Sequence, residues 1–175
     1  FRVSHAVTGC AEPLFRQICP ERPSSLLLAG AVGSGKTTML RDLCRLLGAS
    51  WRLTLVDERS EIAAVHHGVP QYDVGLHTDV LDGFPRAEGL LTALRVLTPE
   101  VLVCDEISTE ADAQAILRIH GSGVPVVASA HGTSLEDLER RPALKQLLDK
   151  GVFQYAAVLS GREQGKVQTL RRVVP

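Results

Sequence analysis

Residues 30–37 read GAVGSGKT and satisfy the pattern GxxxxGK[ST] at every fixed position. Glycines at 30, 33 and 35 let the backbone curl until successive N–H groups point inward at phosphate oxygens. A helix opening at Lys36 adds the partial positive charge of its N-terminus. Lys36 is expected to reach the β- and γ-phosphates of a nucleoside triphosphate, and the Thr37 hydroxyl to ligate Mg²⁺. The expected phosphate-binding set is Gly30, Gly33, Ser34, Gly35, Lys36, Thr37 and Thr38. A Gly-rich turn with a solvated lysine is the competing explanation, and it needs strand, glycines, Lys and Thr to fall into register by chance.

Three further stretches carry groups that suit a triphosphate. VLVCDE (101–106) ends an apolar run in two carboxylates. Asp105 is expected to hold Mg²⁺ through its water shell, and Glu106 to orient and polarise the attacking water. VDERSE (56–61) supplies Asp57 and Glu58, which could equally be ordinary polar strand termination. Arg59 could pair with Glu58 or Glu61, or reach a phosphate held by a neighbouring subunit. SAHGTS (129–134) places His131 just past the run VPVVASA. Its two readings are a strand-end histidine satisfied by backbone, or a neutral imidazole donating one hydrogen bond to the γ-phosphate. In the second reading, loss of that phosphate releases residues 132–134 and shifts the helix that follows. Arg86, Arg95 and Arg162 are the remaining candidates for neutralising transition-state charge from an adjacent subunit, although each could be simply solvated.

These residues need a scaffold that gathers them, and the spacing of apolar residues predicts one. Strands are expected at 25–30, 51–58, 101–106 and 124–130, and helices at 36–48, 85–100 and 109–123. Leu90, Leu91, Leu94 and Leu97 form one apolar face of the second helix, Gly48 ends the first, and Ser134 caps a helix over LEDLERR. FQYAAVLSG and GKVQTLRRV predict a terminal antiparallel hairpin. Short apolar strands alternating with helices give an α/β protein with a mostly parallel sheet flanked by helices. Ligands of such sheets bind beyond the carboxyl ends of the strands, where Gly30, Asp57, Asp105 and His131 all fall. On this reading the strand ending at Asp57 lies next to the phosphate loop.

Composition removes several other classes of function. The chain of 175 residues has a net charge of −1, 45% hydrophobic residues and 4% aromatics. It carries no basic block, and nucleic acid is an unexpected partner. No apolar run approaches the 18 residues of a spanning helix, so direct membrane insertion is not expected. The four cysteines, Cys10, Cys19, Cys44 and Cys104, are scattered without a CxxC. They fit reduced, buried thiols of a cytosolic protein rather than a zinc site. The first residue is Phe rather than Met, and an upstream domain is expected beyond the single domain spanning 1–175.

From about Thr8 onward the chain resembles the stage III sporulation protein AA family. These are RecA-like ATPases similar to the motor ATPases of type II and type IV secretion and pilus systems. The blocks that carry the resemblance are LLLAGAVGSGKTTMLRDLCRLLG, VDERSEIAA, HTDVLDGFPRAEGLLTALRVLTPEVLVCDEIS, ASAHGTSLEDL and RPALKQLL, in that order. The resemblance implies a RecA-like P-loop NTPase that uses ATP and Mg²⁺. VDERSEI stands where secretion ATPases carry an acidic box, making Glu58 a second candidate catalytic carboxylate beside Glu106. SAHGTS stands where they carry a histidine box, with His131 sensing the γ-phosphate. Further implications are a hexameric ring of full-length subunits and a membrane-embedded channel or secretion complex as partner; a nucleic-acid-associated ATPase and a non-hydrolysing ATP-dependent switch are the alternative readings. The protein would then be cytoplasmic, held at the membrane by other proteins. Two departures are visible: Asp105 stands where the motors have Gly, and Ser108 and Thr109 stand where they place Arg and Asp.

Overall fold

The arrangement of the chain comes from a computed structural model, which describes residues 7–173. The elements in chain order are α1 (Glu12–Ile18), β1 (Leu26–Gly30), α2 (Lys36–Leu47), β2 (Leu53–Asp57), β3 (Thr78–Asp82), α3 (Arg86–Val96) and β4 (Val101–Glu106). They continue as α4 (Glu110–Gly121), β5 (Val126–His131), α5 (Leu135–Glu139), α6 (Pro142–Asp149), β6 (Tyr155–Leu159) and β7 (Val167–Arg172). β1 and β2 are buried at all five positions, which requires cover on both faces of the sheet. The sheet order is β3-β2-β4-β5-β1-β6-β7. Every neighbouring pair is parallel except β6 and β7, the expected antiparallel hairpin.

Alternation along the strands divides the core in two. Leu26 and Leu28 of β1 pack with Leu14 of α1 and with Met39, Leu40 and Leu43 of α2 on one face. Leu27 and Ala29 face the other way, toward Leu90 of α3, Ile116 of α4, Leu138 of α5 and Leu144 of α6. Truncating a leucine buried this completely costs about 2–5 kcal/mol. Among the described residues no helix is long and apolar enough to cross a membrane.

The structure departs from the sequence reading at several points: α1 was not expected, and α3 stops at Val96 rather than 100. β3 sits at the sheet edge with partly exposed residues, and its TDVLD has too few apolar positions to signal a strand. The helix capped by Ser134 stops at Glu139, because Pro142 cannot continue a helix and instead opens α6. Gly48 ends α2 without a left-handed turn; a side chain there would strike the carbonyl of Val74 at 2.7 Å. β2 is not beside the phosphate-loop strand, since β4 and β5 lie between them.

Candidate active site around the phosphate loop

Residues 31–35 connect β1 to α2 as expected. Gly33 and Gly35 hold φ of 78° and 96°, the left-handed region that side chains rarely adopt. At Gly30 an added Cβ would collide with the Ser34 hydroxyl and press on the Cβ atoms of Ser34 and Leu159 at 3.2 and 3.3 Å, so any side chain there would displace Ser34. Two observations fit this loop to a phosphate. The Ser34 hydroxyl is buried without a hydrogen-bond partner, and buried hydroxyls are ordinarily satisfied. The Lys36 ammonium donates to the carbonyls of Gly30 at 2.8 Å and Ala31 at 3.1 Å, using two of its three donors. Burial lowers the Lys36 pKa, and the charge of Glu106 pulls it back up.

Lys36, Thr37, Asp105 and Glu106 line one small pocket, joined by Arg59, Glu61 and Ser129. Residues from the ends of four segments are thus brought together. A detail of β4 makes the acidic pair possible. Consecutive strand residues point to opposite faces, yet Asp105 and Glu106 both reach this pocket. The β4–β5 register slips between Cys104 and Glu106, with Cys104 opposite Ala128 and Glu106 opposite Ser129. Asp105 is the extra residue of a bulge, which re-aims the strand end.

The side chain of Arg86 ties the carboxylates together from behind. Its Nε donates to Asp105 at 2.6 Å, Nη1 to Asp112 at 3.1 Å and Nη2 to Glu58 at 2.7 Å. Burial would lower the Arg86 pKa, but the bond to Asp105 and the surrounding carboxylates raise it overall. Burial raises the Asp105 carboxyl despite the guanidinium beside it. Asp112 is held low because amides of Ser108 and Thr109, the Thr109 hydroxyl and Arg86 outweigh its own burial. With one Asp105 oxygen engaged by Arg86, metal contact through water from the other fits better than a direct cage. Among the described residues no three His, Cys, Asp or Glu side chains form a metal-sized cluster. Thr37 and Asp105 therefore fit a Mg²⁺ ion that takes most of its ligands from phosphate and water.

The segment after β2 is organised by Asp57, which is buried and accepts from the amides of Glu61, Ile62 and Ala63 at 2.9–3.0 Å. Arg41 of α2 donates to the carbonyls of Glu61 at 2.7 Å and Ile62 at 2.8 Å, which draws the segment to the phosphate loop across two intervening strands. Glu58 turns to Arg86, while Arg59 and Glu61 line the Lys36 pocket. Sequence reasoning gave Glu61 only a pairing role; its place five residues after a strand end carried no stronger signal. Arg59 thus shares a pocket with Lys36 and Thr37 of its own chain.

His131 lies directly opposite Gly30 in the β1–β5 register, and the Gly132 amide bonds to the Gly30 carbonyl at 3.4 Å. It borders the phosphate loop without lining the Lys36 pocket. Ser134 caps α5 through the Asp137 amide at 3.2 Å, as expected. Of the arginines weighed for a neighbouring subunit, Arg86 is buried in its own chain, Arg95 is exposed on α3, and Arg162 is exposed on the β6–β7 turn. All four cysteines are free, Cys44 and Cys104 buried and Cys10 and Cys19 half-buried. Burial pushes the Cys10 thiol up to about 11.

Comparison with known proteins gives this geometry a context. A family model described as "Sporulation stage III, protein AA" matches residues 1–172. Stage III sporulation protein AA of Bacillus subtilis is 41% identical over 165 residues, which cover 91% of this chain and 54% of that protein. The chain thus spans about half the length of this curated relative. The VirB11 ATPase of the Brucella suis type IV secretion system, solved with sulphate, superposes with a TM-score of 0.64 at 18% identity, covering 97% of this chain and 57% of its own. The pilus retraction motor PilT, solved with bound ADP, superposes with a TM-score of 0.62 at 17% identity, covering 86% and 46%. The fold is that of RecA-like secretion ATPases.

Proposed function

The chain belongs to the Sporulation stage III, protein AA family, and on that premise we propose that it is the ATP-hydrolysing domain of a motor subunit. The observation that carries this reading is the meeting of Lys36, Thr37, Asp105 and Glu106, from separate segments, in one pocket. The backbone of residues 33–36 and the helix N-terminus bind the phosphates, and Lys36 turns its remaining donor to them. Thr37, and Asp105 through water, would hold Mg²⁺, which would supply positive charge against the triphosphate. Glu106 orients water and accepts its proton. Arg86 keeps Asp105 and Glu58 in place. His131 reports on the γ-phosphate from its seat opposite Gly30.

Residues 1–175 act as one ATPase domain. The full-length subunits assemble as a ring, expected to be a hexamer, that powers a membrane-embedded channel or secretion complex during sporulation. The ring works from the cytoplasmic side, docked by partner proteins. The secretion-system and pilus settings of the structural neighbours support a motor task.

Two variants of the full-length protein test the assignment. Lys36→Ala is expected to weaken ATP binding and abolish Mg²⁺-dependent hydrolysis. Glu106→Gln is expected to keep ATP binding and lose about 10²- to 10⁴-fold in turnover. Wild-type turnover in Glu106→Gln would remove Glu106 from its role.

A further inference from the structure

Two carboxylates flank Arg59 in the sequence, Glu58 and Glu61, and its side chain pairs with neither. Glu58 is taken by Arg86 at 2.7 Å, and among the described residues the Arg59 guanidinium forms no ion pair or hydrogen bond. It lines instead the small pocket of Lys36, Thr37, Asp105 and Glu106, whose volume is about 40 Å³. An exposed arginine without a partner is ordinary in itself, since water solvates it at little cost. Arg59 differs in the backbone that carries it.

The segment from Asp57 to Ala63 is fixed from two sides. Asp57 accepts from the amides of Glu61, Ile62 and Ala63, and Arg41 of α2 donates to the carbonyls of Glu61 and Ile62 while lying 3.6 Å from the centre of the Tyr72 ring. Ser60, directly after Arg59, holds a φ of 54° in the left-handed region, and its hydroxyl accepts from the Val65 amide at 3.2 Å. A side chain adopts that region at a cost, and such strain collects at ligand clamps where the surroundings enforce it. The helix that begins with Lys36 thus also anchors the turn that presents Arg59. Adjacent side chains part there, Glu58 toward Arg86 and Arg59 toward the pocket of Lys36.

The pocket sets two cations, Lys36 and Arg59, against three carboxylates, Glu61, Asp105 and Glu106. Lys36 turns two of its three donors to the carbonyls of Gly30 and Ala31, so a bound γ-phosphate needs further donors against those acids. A guanidinium suits it: planar, permanently charged and forked to meet two oxygens of one phosphate. We propose that Arg59 is a catalytic arginine acting within its own subunit, its guanidinium on the γ-phosphate of a nucleotide held by Lys36. This deepens the ATPase reading and rests on it. In hydrolysis the water oxygen bonds to the γ-phosphorus, the γ-phosphorus parts from the bridging oxygen, whose electron pair stays with ADP, and the water proton passes to Glu106. Arg59 keeps its own protons throughout and holds the γ-oxygens as charge moves toward the bridge. Charge supplied in this way does not wait on the ring, and any from a neighbouring subunit adds to it.

Calorimetry and turnover on the full-length protein with Mg²⁺ test this. Arg59→Ala is expected to keep the wild-type urea midpoint and to bind ADP within about twofold of wild type, because the side chain is exposed and ADP lacks the γ-phosphate. Its kcat should fall about 10³-fold. Aluminium fluoride, which mimics the transferring phosphoryl group beside ADP, should no longer tighten ADP binding. Arg59→Lys restores the charge without the fork and recovers only part of the loss. Co-assembly of Arg59→Ala with Lys36→Ala, selected through two affinity tags, reads which subunit supplies the arginine. A site that needs both groups in one chain stays inactive, whereas an arginine acting between subunits recovers turnover. Recovery there, wild-type turnover in Arg59→Ala, or undiminished tightening by aluminium fluoride overturns the role of Arg59 alone. A wild-type protein that neither binds ADP nor hydrolyses ATP overturns the ATPase reading, and this inference falls with it.

Discussion

Arg86 has five N–H donors in a fixed fork and turns one from each nitrogen to three carboxylates, on β4, on α4 and just past the end of β2. Its side chain is 4% exposed, those of Asp105 and Asp112 are 14% and 5% exposed. Removing the guanidinium leaves two shielded carboxylates without their counter-ion. Arg86→Met is expected to lose about 3–5 kcal/mol of stability in urea denaturation. Arg86→Lys keeps a charge but cannot span all three partners, and should recover only part of the loss. A near-native urea midpoint in Arg86→Met would show that the cluster is not what holds β2, β4 and α4 together. The meeting of Lys36, Thr37 and the acidic pair at one pocket was legible in the chain because motif and strand position agree. The roles of Asp57 and Arg86 were not. Nothing local distinguishes a carboxylate that holds three amides from one that meets a metal, and the partners of Arg86 lie 19 to 28 positions away along the chain.

Among the elements, α1 shows how a single carboxylate seats a short helix. Asp42 on α2 accepts from the Ala11 amide at the start of α1 at 2.8 Å and from Arg45 at 2.8 Å. Burial would raise the Asp42 carboxyl, but the amides of Ala11 and Gly9 and the Arg45 guanidinium outweigh it and hold it below 3.8. A depressed carboxyl stabilises the fold above its unfolded value, and that contribution is lost as pH falls through the folded one. Asp42→Asn is therefore expected to cost about 1 kcal/mol at pH 7. The difference from wild type should shrink as pH falls below the ordinary carboxylate range and the folded-state carboxyl takes up its proton. Denaturant melts at the two pH values measure it, and a gap that persists in acid would assign the cost to packing. α1 itself is seven residues of EPLFRQI, too short to announce itself by periodicity. β4 was readable as a strand, but its slipped register depends on β5, which no run of six residues reveals.

At the scale of the whole molecule, alternation of apolar strands and helices was enough to predict the layers and the parallel sheet. Strand order was not, because the chain does not state how many strands separate β2 from β1; Arg41 and the Asp57 segment close that gap in space. The edge strand β3 escaped for a related reason: half-exposed strands carry weak patterns. With Arg86 occupied inside its own chain, the proposed ring would have to draw any charge from a second subunit from exposed side chains. Specific ATPase activity of the full-length protein is accordingly expected to rise with protein concentration before reaching a plateau. A rate per subunit that stays flat across the monomer-to-oligomer range, followed by light scattering, would place the complete machinery within one chain. The slip in β4 has a different kind of consequence. Substitutions near Cys104 alter what the strand displays, whereas excising one residue there restores strict two-fold alternation. A chain shortened by Asp105, the extra residue, should keep both halves of its core, because every residue up to Cys104 holds its place, while Glu106 is left as the single acid at that strand end.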